Sequence, residues 1–126
     1  MPDAPQNAPV QLFASAQVTG ATARPSTDQV NEFAKGLMLV IDITQIDVAT
    51  TATFTVQGKD PVSGKYYTIL ASAALAAVAT TVLRIYPGLT AAANLTVSDF
   101  LPSTWRVNVT GTGTNVTYSL AGNYQL

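Results

Sequence analysis

Cysteine and histidine are both absent from this chain of 126 residues. Without cysteine, neither a disulfide framework nor a thiolate zinc site can form. Without histidine, the chain lacks the commonest general base and metal ligand, and it cannot build a Ser-His or Cys-His nucleophile pair. We therefore predict that the protein is not an enzyme, and we assign it no catalytic, cofactor-binding or metal-binding residue.

Charge is also scarce. Charged residues make up 10% of the sequence, whereas an ordinary soluble domain carries about 25%. The six Lys and Arg residues stand singly against seven Asp and Glu, and binding to nucleic acid needs clustered positive charge. We expect no nucleic-acid partner. A nearly neutral, threonine-rich surface is poorly protected against association, so we expect partner proteins to cover much of it.

Long hydrophobic segments are missing too. The longest apolar run, Ile69 to Ala79, is interrupted by Ser72 and is far shorter than the ~20 residues that span a bilayer. The opening "MPDAPQNAPVQLF" has neither the basic region nor the apolar region of a signal peptide. We expect no membrane partner and synthesis in the cytoplasm.

What the sequence does contain is a β pattern. From Leu37 onward, apolar and polar residues alternate in "LMLVIDITQIDV", "ATFTVQG", "KYYTIL", "TTVLRIY", "TWRVNVT" and "NVTYSLAG". The turn signals "DPVSG", "PGLT", "LPST" and "GTGTN" separate these runs. This pattern predicts an all-β fold, an antiparallel β-sandwich of jelly-roll or immunoglobulin-like topology, over residues 31–126. The alanine-rich stretch 71–79 is predicted to be a loop or a short, distorted edge strand.

Residues 1–30 are predicted to form an extended N-terminal arm. The segments "MPDAPQNAP" and "TGATARPSTDQ" hold little that could form a core, and "VQLFASAQV" between them alternates as a strand does. Such a strand either pairs with another chain or forms the first strand of the domain's own sheet. The first interpretation predicts contacts with a partner or a neighbouring protomer through Val10, Gln11, Leu12, Phe13, Ala14, Gln17 and Val18.

The stretch "VQGKDPVSGKYYTIL" contains glycines and lysines and is a candidate for a phosphate-binding loop. A Walker loop needs four residues between its glycines, and a hydroxyl residue after the lysine. Gly58 and Gly64 have five residues between them, and Tyr66 follows Lys65. The segment instead fits a β-hairpin, in which Asp60 caps the bend, Pro61 sets its φ angle and Gly64 accepts a positive φ.

A few side chains need a specific interpretation. Trp105 alternates with Val107 and Val109, which indicates a core residue. The alternative is a sugar-binding platform that Trp105 would form with Tyr66, Tyr67, Tyr86 and Tyr118. Arg106, on the opposite face, is either an interface anchor or a solvent-facing charge. Asp42 is expected on a solvated or interfacial side of its sheet.

Three longer segments carry a resemblance to a known family. "FTVQGKDPVSGKYYTILASAA", "TTVLRIYPGLTAAAN" and "LPSTWRVNV" resemble segments of small virion proteins of tailed bacteriophages. The resemblance covers about half the chain, from Phe54 to Val109, and is weaker in the N-terminal segment and at the C-terminal end.

The resemblance implies a structural role. Small β proteins of this family commonly serve as capsid decoration, or cement, proteins. On this basis we expect a homotrimer on the outer surface of the capsid, with the major capsid protein as partner, made in the cytoplasm of the bacterial host. The alternatives are a tail, baseplate or head-fibre subunit, or a carbohydrate-binding module displayed on the virion.

Overall fold

The computed structural model describes residues 7–126, which form strands and connecting loops without a helix. No helix in this range could therefore serve as a membrane span. The ten strands are β1 (Pro9–Thr19), β2 (Arg24–Pro25), β3 (Gln29–Val30), β4 (Gly36–Ile46), β5 (Thr51–Lys59), β6 (Tyr66–Ala71), β7 (Ala79–Ile85), β8 (Thr96–Val97), β9 (Thr104–Thr112) and β10 (Asn115–Gln125).

The strands form two sheets. The first sheet has the order β1-β10-β4-β7-β8, and the second has the order β2-β9-β5-β6, with β3 also paired to β9. Every pairing is antiparallel except the short one between β7 and β8. The predicted all-β sandwich is confirmed.

The core lies between the two sheets. Phe54 of the second sheet meets Tyr118 of the first edge-to-face at 5.0 Å between ring centroids, and Trp105 meets Tyr124 in the same way at 5.9 Å. Trp105 is 0% exposed, which confirms its predicted place in the core. Each fully buried aliphatic or phenyl side chain contributes roughly 1.5–3 kcal/mol to folding. The other buried apolar residues are Leu37, Leu39, Ile41, Ile43, Ala52, Val56, Leu70, Leu83, Ile85, Leu101, Val107, Val109, Val116 and Leu120.

The N-terminal strand belongs to this sandwich. β1 pairs along its length with β10, from Pro9 opposite Asn123 to Thr19 opposite Asn115. Of the two interpretations left open by the sequence, the first strand of the domain's own sheet is the one observed. β2 and β3 pair with β9, so the predicted boundary at residue 30 does not separate an arm from a domain in residues 7–126. The part of the predicted arm in residues 1–6 lies outside the described residues.

The glycine-lysine segment is a hairpin, as predicted. It joins β5 to β6, and the Asp60 amide donates to the Lys65 carbonyl at 2.8 Å. The Asp60 carboxylate caps the bend by accepting from the amides of Val62 at 2.9 Å and Ser63 at 3.4 Å. Gly64 has a φ of +75°, a value that suits glycine.

The strand directions give the sandwich two distinct ends. β4 begins at one end, where β10 finishes and β9 begins, because Gln125 pairs with Gly36 and the Leu101 amide donates to the Lys35 carbonyl. Turns 47–50 and 113–114 lie at the opposite end. Stretch 71–79 is largely a loop, as predicted, and is held by a bridge between Leu75 and Ala52.

Candidate interaction surface

Exposed apolar side chains are concentrated at the end where β4 begins. In residues 7–126, nine large hydrophobic residues are exposed. Two of them, Val48 and Val78, lie at the opposite end. The other seven lie in or beside the loops and strand ends around the start of β4, and they are Val30, Phe33, Val62, Tyr67, Leu95, Phe100 and Leu126. This distribution gives the molecule one apolar end.

Two hydrogen-bonded loops hold the phenylalanines of this end outward. The Asn31 side chain donates to the carbonyls of Ala34 at 2.8 Å and Leu101 at 3.1 Å, and it accepts from the Ala34 amide at 2.9 Å. Loop 31–35 is thereby fixed beside loop 99–103. Phe33 nevertheless remains 67% exposed and Phe100 62% exposed. The loops are held by hydrogen bonds between the Asn31 side chain and their backbone, and both rings face solvent.

Two concavities lie at this end of the sandwich, and Phe33 lines the first of them. The first concavity, of about 210 Å³, is lined mainly by Ala8, Val30, Phe33, Ala34, Tyr124 and Leu126. The second, of about 330 Å³, has Leu126 on one side and Met38, Arg84, Tyr86 and Leu89 among its other walls. Val30, Phe33, Phe100, Leu126 and the first concavity together are called the apolar surface below.

The predicted partner-binding residues of β1 divide into two groups. Val10, Leu12, Phe13 and Val18 are half-buried and pack on the core of their own chain. Gln11, Ala14 and Gln17 are exposed. Whether these three contact a partner stays a prediction, while the first four already take part in folding.

The edge of β1 is irregular. The strand is the outermost one of its sheet, and its register with β10 shifts between Gln11 and Phe13 and again between Phe13 and Ala16. Bulges of this kind interrupt the row of backbone groups that another strand would pair with. A partner at this edge would therefore contact side chains more readily than add a continuous strand.

Stacked side chains close the gap between β1 and β2. The Arg24 guanidinium lies 3.9 Å from the centroid of the Phe13 ring, and Phe13 meets Tyr118 edge-to-face at 6.2 Å. Burial raises the pKa of the Tyr118 hydroxyl, and Arg24 opposes this shift. The two sheets are thus joined at this side by cation–π and aromatic contacts.

A cluster of polar and charged side chains lies on the outer face of the second sheet. The Lys59 ammonium donates to the Asp28 carboxylate at 2.8 Å, and the Tyr66 hydroxyl donates to it at 2.6 Å. These two bonds, with Lys59 first, lower the pKa of Asp28, and Asp28 in turn raises the pKa of Lys59. The Arg106 guanidinium stacks 3.5 Å from the Tyr66 centroid and donates to Gln57 at 2.8 Å. Each charged side chain of the cluster therefore already contacts another member of it.

Two rings of the predicted aromatic platform, those of Trp105 and Tyr118, are buried in the core. Trp105 is enclosed by the core, Tyr66 is covered by Arg106, and the Tyr67 ring lies across Gly58, where it occupies the space that a Cβ would need. The inclusion of Trp105 in a sugar-binding surface is therefore wrong. Asp42 is half-buried on the outer face of the first sheet, where it accepts from Thr80 at 3.2 Å.

The apolar surface is not evident from the sequence alone. Its signal is present in "NEFAKG" and "SDFLPS", where a single aromatic residue stands in an otherwise polar or turn-forming loop. Only the three-dimensional contact between Asn31 and Leu101 reveals that the two loops are neighbours. Within residues 7–126, no group of three acidic side chains is placed to hold a metal ion.

Comparison with known proteins finds no matching family model, no matching curated protein and no matching solved structure.

Proposed function

We propose that this protein is a structural component of a tailed-bacteriophage virion, a decoration (cement) protein that binds the outside of the capsid at subunit junctions and stabilises the shell. The observation that carries the proposal is the concentration of exposed apolar side chains at one end of a sparsely charged β-sandwich. A surface of this kind favours lasting association with other proteins. The segment from Phe54 to Val109 resembles small virion proteins of tailed bacteriophages, which supports the virion as the place of that association.

The proposed mechanism needs no catalysis. Junctions between capsid subunits are strained when the packaged genome presses on the shell. A domain that binds the assembled shell but not separated subunits stabilises the assembly by mass action. If the domain is a homotrimer, three modest contacts act together, because binding through one raises the effective concentration of the others. The partners are then the major capsid protein and further copies of this chain.

Exposed side chains of β1 are the proposed contacts with the shell. Gln11, Ala14 and Gln17 are exposed on an outermost strand. Deleting residues 1–20 would remove the whole of β1 and uncover β10, so lost binding could reflect lost folding. Substitution of exposed residues gives a cleaner experiment.

Co-sedimentation with empty capsids tests the proposal. Wild-type protein is expected to pellet with the shells, whereas the double variant Ala14→Glu, Gln17→Glu is expected to stay in the supernatant. Thr110→Glu, at an exposed position of the second sheet, is the control and is expected to pellet as wild type does. Undiminished binding of the double variant would reject the role of β1, and absence of wild-type binding would reject capsid decoration.

Location in the virion separates the proposal from its closest alternative. An antibody against this protein, imaged on purified virions, is expected to label the whole head. Label confined to the tail or baseplate would replace decoration with a tail role, for which hexameric rings rather than trimers are expected. Label on isolated projections from the head would indicate a head fibre.

A further inference from the structure

We infer that the apolar surface is where copies of this chain meet each other. The proposed function includes self-association but assigns no residues to it. The inference rests on that proposed function and deepens it by naming a second copy of this chain as the partner of the apolar surface. Four features of the described residues favour a second copy of this chain over other occupants.

The first feature is that protrusion and cavity occur on the same surface. Phe100 projects from loop 99–103, and the first concavity lies beside the adjoining loop 31–35. Its volume of about 210 Å³ is below the ~300 Å³ at which small-molecule pockets begin, but it suits a single large apolar side chain. A surface that carries both a ring and a hole for a ring can meet a copy of itself, either reciprocally in a two-fold dimer or head-to-tail around a three-fold axis.

The second feature is area. A phenylalanine buries about 150–250 Å² when it is fully covered, so Phe33 and Phe100, at two-thirds exposure, together with Val30 and Leu126 offer on the order of 400 Å² of apolar surface. A standard interface buries about 800 Å² on each partner, of which a little over half is non-polar. The apolar surface and a polar rim around it therefore match one side of a standard protein interface.

The third feature is charge of both signs around the rings. Glu32 precedes Phe33, Asp99 precedes Phe100, and Lys35 follows in the same loop, all three exposed. The ion pair found within residues 7–126 joins Lys59 to Asp28 and includes none of these three charges. The Asp99 carboxylate accepts a hydrogen bond from the Phe100 amide at 2.8 Å. A rim with both signs complements its own copy, whereas a partner of one sign would meet like charge.

The fourth feature is the poor fit of other occupants. An anionic lipid surface attracts clusters of several cations, and this rim has one lysine between two acids. Arg84 borders the second concavity rather than the first. A second copy satisfies the area, the cavity and the charges together.

Solution mass tests the inference directly. Sedimentation equilibrium of the full chain at micromolar concentrations is expected to give a small multiple of 13.1 kDa. The double variant Phe33→Ser, Phe100→Ser is expected to raise the dissociation constant roughly 30-fold or more, the effect of losing a single hot-spot side chain. Val48→Ser is the matched control, since Val48 is 98% exposed at the opposite end, and should associate as wild type does. A monomeric wild type, or a double variant that associates equally well, would overturn the inference.

A second measurement leaves the apolar side chains intact. Because the chain has no cysteine, Glu32→Cys introduces one thiol at the rim and Val48→Cys introduces one at the opposite end. A short bismaleimide is expected to cross-link copies of the first variant and not of the second. Equal cross-linking of both, or none in the first, would count against the inference.

The inference and the proposed function fail separately. One outcome is a multimer that dissociates on loss of Phe33 and Phe100 but never pellets with capsids. It would support the contact between copies and reject capsid decoration. A monomer that pellets with capsids would reject the contact between copies and support capsid decoration.

Discussion

A buried hydroxyl group shows how one residue secures the packing of a whole loop. Ser72 is 4% exposed, and its hydroxyl accepts from the Phe54 amide at 2.9 Å while donating to the Ala73 carbonyl at 2.8 Å. Removal of this hydroxyl leaves a buried amide without a partner, which costs about 1–3 kcal/mol. Ser72 therefore fixes the start of the loop after β6 to the centre of the second sheet.

We predict that Ser72→Ala lowers the free energy of unfolding by about 1–3 kcal/mol. Urea denaturation monitored by circular dichroism measures this change. Ser15→Ala, at an exposed position of β1, is the control and should stay within about 0.5 kcal/mol of wild type. Equal stabilities of the two variants would show that the Phe54 amide finds another partner.

The turn at the opposite end of the sandwich depends on one carboxylate. Asp47 accepts hydrogen bonds from the Thr114 hydroxyl at 2.7 Å, the Asn115 amide at 3.1 Å and the Gln45 amide group at 2.7 Å. These bonds, led by that from Thr114, lower the pKa of Asp47 below its ordinary value of 3.8. The ionised carboxylate thus joins the turn after β4 to the start of β10.

This shift predicts loss of stability in acid. Because the pKa is lower in the folded state, the contribution of Asp47 is present above the unfolded-state value near 3.8 and is lost as the pH falls through the folded-state value. Asp47→Asn should therefore be less stable than wild type at pH 6 and should lose less stability between pH 4 and pH 2. Denaturation curves measured across that range give the free energy of unfolding of each protein against pH. If it fell equally with pH in both proteins, Asp47 would not be the source of the acid sensitivity.

At the scale of the element, local turn chemistry determines the hairpin between β5 and β6. Gly64, at φ +75°, has space for a Cβ, since the nearest atom outside its neighbours would be Lys59 Cε at 3.9 Å. Gly64→Ala should therefore cost about 1–2 kcal/mol through backbone conformation alone. Gly64→Asn should cost less, because asparagine adopts positive φ more readily.

Thermal unfolding of the two Gly64 variants provides the comparison. Val62→Ala, in the same turn and 94% exposed, is the control and should unfold at the wild-type temperature. If alanine and asparagine were equally destabilising at Gly64, side-chain crowding rather than φ would be the cause.

The hairpin and β1 show what the sequence could and could not predict about elements. The residues that determine the hairpin all lie within its turn, so their roles could be predicted from local sequence. The spacing of the glycines excluded a phosphate loop, and the predicted roles of Asp60 and Gly64 in the turn are confirmed. Two features of β1 could not be predicted. Its partner is the distant strand β10, which begins at Asn115. Its alternation of inward and outward side chains breaks at a register shift, where Leu12 and Phe13 both pack against the core. Neither feature is encoded in the nine residues from Val10 to Val18 alone.

The apolar surface was missed for the same reason. Phe33 and Phe100 lie 67 positions apart, and each alone is an ordinary exposed loop residue. Their common surface depends on two hydrogen bonds at Leu101, whose carbonyl accepts from the Asn31 side chain and whose amide donates to the Lys35 carbonyl. Alternation could predict Trp105 as a core residue, because strand periodicity is local, whereas the grouping of loops requires the whole topology.

At the scale of the whole molecule, the two sheets depend on one another. Phe54, Val107 and Trp105 of the second sheet pack in one core with Leu39, Ile41 and Tyr118 of the first, and β1 and β10 bring distant parts of the chain into one sheet. Neither sheet has an apolar core of its own. Single domains of this size with one shared core usually unfold in one cooperative step.

Trp105 reports on that cooperativity, because it is the only tryptophan and is 0% exposed. Its fluorescence should shift to longer wavelength on unfolding, with the same midpoint in denaturant as the far-ultraviolet circular dichroism of the strands. Soluble glycans should leave the emission of the folded protein unchanged, since the indole is enclosed between the sheets beside Tyr124. Separate midpoints would mean that one sheet survives without the other, and glycan-dependent quenching would favour the carbohydrate-binding alternative.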